Sequence, residues 1–402
     1  MRRRRGQKQE QRYWTRQTLS NLTGGAFQQM LKFFVQSTMM MPYAYCYALS
    51  KPWRDAHVPA SLEWNPFTVN LVALLGCDLG YYLAHRMYHM TNIGWASHVM
   101  HHSSPDFNYS TALRQGVFEQ LYSTWFYIPL ALLGVPMEVH YFHRSLNTIM
   151  QFWTHTQEIP KLKGILAPIE WISNTPSHHR VHHARNYGRR NFGGMLIIWD
   201  RLFGTFEEET YPCIFGLDER KTPLGTHNPI WQQLHHYYDT FNLVASSGKP
   251  LQALFTRMPG EGMVMPAKTD NANGRNIKPE SPPCDPRFEH IDVYVLFNYF
   301  LFSFMLTWNI DPRMYVPYTE RLVSSIWLTA SFAMTGLLLD KRSFAVPLEF
   351  IRLVFMFGLT EIMFQGAARK FAVLHCAVSF VWFAILNYRR DGTTADLKAK
   401  AT

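Results

Sequence analysis

Acidic and basic side chains are scarce in this 402-residue chain. Together they make up 17% of it, well under the quarter typical of soluble domains. Cysteine is scarce too: Cys46, Cys77, Cys213, Cys284 and Cys376 form no CxxC pair, so neither a disulfide framework nor a thiolate zinc site is expected from them. No fixed-period repeat is visible, which argues against solenoids and propellers. What is abundant is apolar and aromatic, with 47% hydrophobic residues, 29 Phe, 20 Tyr and 12 Trp. That composition excludes disordered, collagenous and coiled-coil classes. The mean hydropathy of -0.15 conceals it by averaging apolar spans with a basic, histidine-rich remainder.

The formal charge is +10, and residues 1–16 carry Arg2, Arg3, Arg4, Arg5, Lys8, Arg12 and Arg16 against Glu10 alone. A short basic run just before an apolar span reads as a cytoplasmic membrane anchor, and no nucleic-acid partner is expected. Crossing about 30 Å of hydrocarbon takes roughly 20 apolar residues in a helix. Candidate spans lie near 26–48, 66–84, 117–135, 292–309, 322–339, 345–364 and 371–388. The stretch 137–154, with His140, His143 and Arg144, reads as a return or interfacial helix. The first apolar stretch is too far from the start for a cleavable signal, so membrane entry is expected from internal spans.

Residues 258–288 are rich in Pro, Gly, Asn and Lys, as a linker should be. The expected organisation is a basic tail (1–25), a catalytic domain (26–255), a linker (256–290), C-terminal transmembrane helices (291–390) and a final tail (391–402). If the arginine tail is cytoplasmic, the spans 26–48 and 66–84 lead out and back, and a hairpin at 117–154 returns the chain to the same face. The expected fold class is therefore all-α: a polytopic integral membrane helical bundle with a cytosolic, histidine-rich cap holding a dimetal site.

Eight of the 18 histidines sit in three tight clusters: His85 and His89 in HRMYH; His98, His101 and His102 in HVMHH; His179, His182 and His183 in HRVHH. On a helix, spacings of three and four place side chains on one face, so each cluster aims its imidazoles one way. Neutral imidazole suits Zn, Cu, Fe and Ni, and eight ligands exceed what one ion uses, so a pair of ions is the natural arithmetic. A structural zinc site would close with four ligands and usually include cysteine. A zinc protease would show HExxH, but Arg86 follows His85. An imidazole cage brings no negative charge to its ions, which favours oxygen chemistry over phosphate-ester work on carboxylate-bound Mg²⁺.

Around the boxes, Asp78 lies two helical turns before His85 in an apolar stretch and is expected as its outer-shell hydrogen-bond partner. His155, in QFWTHT, is expected as a ninth ligand, and His178, beside His179, as a supporting residue. Asn174, Thr175 and Asn186 flank box three and are expected either to cap its helix or to touch a cofactor or substrate hydroxyl. Asp200 follows the Gly193-Gly194 pair, and a structural turn is its expected role.

With GCDLGYYLAHRMYH (76–89), WASHVMHHSSPDFNYSTALRQ (95–115), QFWTHT (151–156), NTPSHHRVHHARN (174–186) and NFGGMLIIWDRLFGTFEEE (191–209) in view, the chain resembles the fatty acid hydroxylase superfamily of membrane di-iron enzymes. The boxes and WDxxFGTF (199–206) are common to that superfamily, while HHSSPDFNYSTALRQ and NTPSHHRVHHARN point to its ether-lipid branch. The resemblance implies two Fe, for which Zn can stand in a purified sample, bound by the eight box histidines. It also implies tetrahydrobiopterin as reductant and alkylglycerol as lipid substrate, cleaved at the O-alkyl bond to a fatty aldehyde. The implied location is the endoplasmic reticulum membrane, multi-pass, with the metal site facing the cytosol. Two departures stand out: Met90 follows the second box-one histidine where the family often has an acidic residue, and the N-terminal part looks one spanning helix short.

Two rival readings are separable. A sterol or fatty acyl hydroxylase or desaturase of the same superfamily would draw electrons from cytochrome b5. A membrane metal transporter would place its histidines at mid-span along a pathway, whereas these boxes follow the ends of spans.

Overall fold

The computed structural model describes residues 15–58, 65–217, 226–256, 290–310, 317–363, 369, 373–382 and 384–385. The first fourteen residues of the expected basic tail, most of the expected linker and the final tail lie outside them. The chain divides into two compact units. Among the described residues, the first is built from 31–58, 65–217 and 233–256. The second is built from 15–30, 226–232 and the residues from 290 onward.

The elements are helical throughout the described residues, with a single isolated β-bridge between Ser173 and Leu196. The first helix, α1 (Thr15–His57), is 43 residues long and carries Pro42 and Pro52 within it. In the first unit it is followed by α2 (Pro66–Met90) and α3 (Asn92–His102). Asn65 caps α2 by accepting from the Thr68 amide, with Pro66 in the first turn, where its missing N–H costs nothing. Thr91 then ends α2 and caps α3, accepting from the Gly94 amide. A Cβ on Gly94 would lie 2.6 Å from Thr91 Oγ1 and 2.7 Å from the Met87 carbonyl, so only glycine permits this one-residue corner. The corner is what brings the first two histidine boxes face to face.

Next come α4 (Tyr109–Leu113), α5 (Glu119–Ser123), a 3₁₀ turn (Thr124–Tyr127), α6 (Ile128–Leu133) and α7 (Met137–Thr154). Residues 117–135, expected as one span, are instead three short pieces. Pro129 lies in the first turn of α6, and the chain leaves α6 at Gly134 with φ +87°. Box three occupies α9 (Pro176–His183), preceded by α8 (Ile169–Ile172) and followed by α10 (Ile198–Leu202). The helices α11 (Pro229–Ser246) and α12 (Pro250–Phe255) follow. A core of Tyr43, Val69, Ala73, Cys77, Tyr127, Leu130, Ala131 and Val135 joins α1, α2 and the 124–135 segment.

The second unit contains α13 (His290–Ile310), α14 (Tyr318–Leu339), α15 (Ala345–Met363) and α16 (Val373–Trp382). Leu19, Tyr294, Val295, Met334, Leu338, Leu339 and Ala345 form its core. Of the seven expected spans, two helices among the described residues, α2 and α14, are long and apolar enough to cross a bilayer by length and composition.

Candidate metal centre

Four separate stretches, α2, α3, the end of α7 and α9, deliver nine buried imidazoles to one place. His85, His89, His98, His102 and His182 form one group, and His101, His155, His179 and His183 form another. Within each group the ligand-type nitrogens all lie within 4.8 Å of one another. The groups share a wall, with the His102 and His183 rings stacked at 4.3 Å between centroids.

In eight of the nine rings it is the Nε2 atoms that converge. They are separated by 3.1 Å for His85 and His98, and by 3.2 Å for His98 and His102 and for His102 and His182. In the second group, His101–His155 is 3.2 Å, His155–His179 is 3.1 Å and His179–His183 is 3.2 Å. An ion bound by imidazole at about 2.0–2.1 Å brings adjacent ligand nitrogens to about 3.0–3.4 Å of each other. The spacing is that of two ligand shells.

In five of the nine rings the opposite nitrogen is tied back, which fixes the ring's direction. Nδ1 of His85 meets the Phe192 carbonyl at 2.9 Å, that of His101 the Arg114 carbonyl at 2.9 Å, and that of His182 the Arg190 carbonyl at 2.9 Å. His155 Nδ1 meets the Gln151 carbonyl at 2.6 Å, and His98 Nδ1 meets Glu119 Oε1 at 3.0 Å. Burial and neighbouring imidazoles hold the rings neutral: the pKa falls to about 4 for His101 and to about 3 for His182, desolvation being the main cause in both. A neutral ring keeps its Nε2 lone pair for a metal. Trp95, Phe107 and Phe192 pack directly on these rings and keep water from them.

The flanking residues divide between support and expectation overturned. Asp78 does not bond a histidine. Its carboxylate accepts from Asn147 Nδ2 (2.7 Å), the Met195 and Leu196 amides (2.7 and 3.0 Å) and Trp199 Nε1 (3.0 Å). It ties α2 and α7 to the loop before α10, because chain distant in sequence supplies donors where the helical period had suggested His85. His178 likewise turns away from the cage. Its Nδ1 accepts from the Thr175 amide at 3.3 Å, its carbonyl accepts from Asn191, and Arg201 nearby and burial lower its pKa to about 4, burial first.

Thr175 is the N-cap of α9, as expected, with its hydroxyl on Glu170 Oε1. Asn174 donates to the Gly193 and Gly194 carbonyls, and Asn186 bridges Pro212 and Ile214; neither caps the helix. Asp200 takes the structural role. It accepts from the Phe192 and Gly193 amides and from Thr205 Oγ1, and so orients the peptide whose carbonyl holds His85. The glycine pair is required here: a Cβ on Gly193 would sit 2.5 Å from the Leu196 carbonyl, and one on Gly194 2.5 Å from Asn147 Nδ2. Met90 is 43% exposed, so that departure from the family pattern falls outside the cage.

Sequence reasoning missed two supports. Glu119, which holds His98, is the only acidic residue between Asp106 and Glu138; that isolation was the available signal. Arg180, inside HHRVHH, pairs with Glu209 at 2.8 and 2.6 Å and donates to the Thr156 and Ile159 carbonyls. It thereby locks α9 to the strand of chain beside His155.

Two histidine groups on an all-helical frame make a candidate metal centre, and comparison with known proteins gives its class, that of the lipid monooxygenases. The fatty acid hydroxylase family matches residues 70–205. Alkylglycerol monooxygenase of Danio rerio is 36% identical over 343 residues, 84% of this chain and 73% of the relative. The Homo sapiens protein of that name is 31% identical over 380 residues, 90% and 81% of the two chains. The ornithine lipid hydroxylase OlsE of Rhizobium tropici is 30% identical over 153 residues, 37% of this chain and 45% of its own. No solved structure matches. The chain belongs to the alkylglycerol monooxygenase family.

Proposed function

We propose that this enzyme hydroxylates the alkyl carbon next to the ether oxygen of a glyceryl ether. The observation that carries the reading is the convergence of nine buried imidazoles into two adjoining groups, together with relatives named alkylglycerol monooxygenase that cover most of the chain. The metals would be two iron ions, held by His85, His89, His98, His102 and His182 on one side and by His101, His155, His179 and His183 on the other. When bound, the iron pair and tetrahydrobiopterin supply the activation of O2 and the electrons for inserting one oxygen atom into that C–H bond, the second atom leaving as water.

The protein's share is to hold the imidazoles, five of them through Nδ1, to keep water out through Trp95, Phe107 and Phe192, and to present one methylene to the centre. The hydroxylated carbon is a hemiacetal, which opens to a fatty aldehyde and a glycerol derivative. In this reading the chain is a multi-pass protein of the endoplasmic reticulum membrane with its metal site toward the cytosol, and the arginine-rich tail supports that orientation.

Aldehyde release from an alkylglycerol, followed in microsomes with and without tetrahydrobiopterin, tests the reading. Pterin-dependent release that vanishes in His182→Ala is expected. Turnover on sterols or fatty acyl chains that needs cytochrome b5 and ignores the pterin would replace it.

A further inference from the structure

Within the first unit, lined by none of the nine cage histidines, lies a polar cavity of about 110 Å³. Its wall includes Lys32 of α1, Gln120 of α5, and His140, Arg144 and Ser145 of α7, with Tyr43 and Tyr127 among the aromatic residues. It holds two cations and no carboxylate. Arg144 rests on the Tyr127 ring, 4.7 Å from guanidinium carbon to centroid. Among the described residues no acidic side chain pairs with it or with Lys32.

The hydroxyls of Tyr43, Thr124 and Thr148 already donate to the carbonyls of Val135, Gln120 and Arg144. The His140 ring is held through Nδ1, 3.3 Å from Cys77 Sγ, and stacks on Tyr43. Lys32 and Arg144 are the charged groups of the wall, with the Gln120 amide and the Ser145 hydroxyl beside them. Two like charges in a partly desolvated space repel one another, and an anion between them would offset both. Arg and Lys together are suited to phosphoryl oxygens, the guanidinium by its planar fork and the ammonium as a point charge.

The surroundings indicate what carries that anion. The same elements expose Met41, Leu121, Trp125, Phe142 and Ile149, each next in sequence to a cavity-lining residue, so apolar surface accompanies the polar socket. A free oxyanion has no use for such surface, whereas a lipid does. We propose that this cavity binds the phosphoryl group of a lipid, with its acyl chains along the exposed apolar residues.

Cavity and metal centre are read by different measurements, so the failure of one is distinguishable from the failure of the other. The test uses the full chain purified in detergent, with dioctanoyl phosphatidic acid, inorganic phosphate and dioctanoylglycerol as probes. Binding is followed by calorimetry and by the thermal unfolding midpoint, with metal content measured alongside. Phosphatidic acid is expected to bind and raise the midpoint of the unaltered protein, while dioctanoylglycerol does neither. Lys32→Gln and Arg144→Gln are each expected to weaken phosphatidic acid binding at least tenfold with metal content unchanged. Competition by inorganic phosphate at higher concentration supports the phosphoryl contact. Equal binding of dioctanoylglycerol by the unaltered protein, or undiminished phosphatidic acid binding in both variants, overturns the proposal. The comparison of probes on the unaltered protein does not depend on either variant folding.

Discussion

Both units of this protein bury polar side chains, and they do so to opposite ends. In the second unit several buried groups satisfy one another. Glu349 is bonded to Arg352 and to the Tyr294 hydroxyl, Arg352 reaches Ser331 Oγ at 2.9 Å, and His375 Nε2 meets Asn298 Oδ1 at 2.9 Å. Asp340 takes the His227 ring and amide and the Thr226 hydroxyl. In the first unit the supporting bonds to five of the cage rings approach from behind, to Nδ1, and the Nε2 atoms of eight rings face one another. A closed network fixes how helices pack. A network closed on one side alone is a site.

The sharpest way to break this comparison is to remove one ring from each unit. His182→Ala is expected to abolish aldehyde release and to lower metal content, read by elemental analysis of the purified chain. His375→Ala is expected to leave metal content unchanged. Equal metal loss in both would erase the distinction.

The next largest effect concerns the buried carboxylates that organise each unit. Asp78→Ala orphans four donors, each costing about 1–3 kcal/mol when buried without a partner. A drop in thermal stability of several degrees or outright failure to fold is expected, well beyond that of Glu138→Ala at the start of α7. In the second unit, Arg352→Met alone leaves Glu349 unpaired and is expected to cost about 3–5 kcal/mol. The double change Glu349→Leu with Arg352→Met should recover most of that in denaturant unfolding. If the double variant is no more stable than the single one, the ion pair is not a self-contained network.

A smaller effect sharpens the account of the cage itself. Glu119→Gln keeps the shape but removes the charge behind His98. It is expected to weaken metal retention about 10–100-fold, measured by competition with a chelator, with the fold intact. An unchanged chelator curve would reduce Glu119 to a packing residue.

Much of the cage was legible because its information is local. Spacings of three and four within HRMYH, HVMHH and HRVHH settle which rings share a helix face, and each of those segments is helical. His155 was reachable only by following the chain to the end of α7. Asp78 was misjudged by the same local logic: the helical period put it in line with His85, but its partners are 69 to 121 residues away, and no period encodes such contacts. Residues 117–135 looked like a span by composition, but their conformation was decided by Pro129 and the left-handed Gly134. Glu119 and Arg180 act through loops whose course only the folded chain reveals.

The most direct test of the central claim is the metal stoichiometry and first coordination shell of the purified chain, by elemental analysis and X-ray absorption. Two ions per chain with a shell dominated by imidazole nitrogen are expected. A chain that oxidises alkylglycerol with fewer than one ion bound, or with ions held chiefly by carboxylate oxygen, would contradict it.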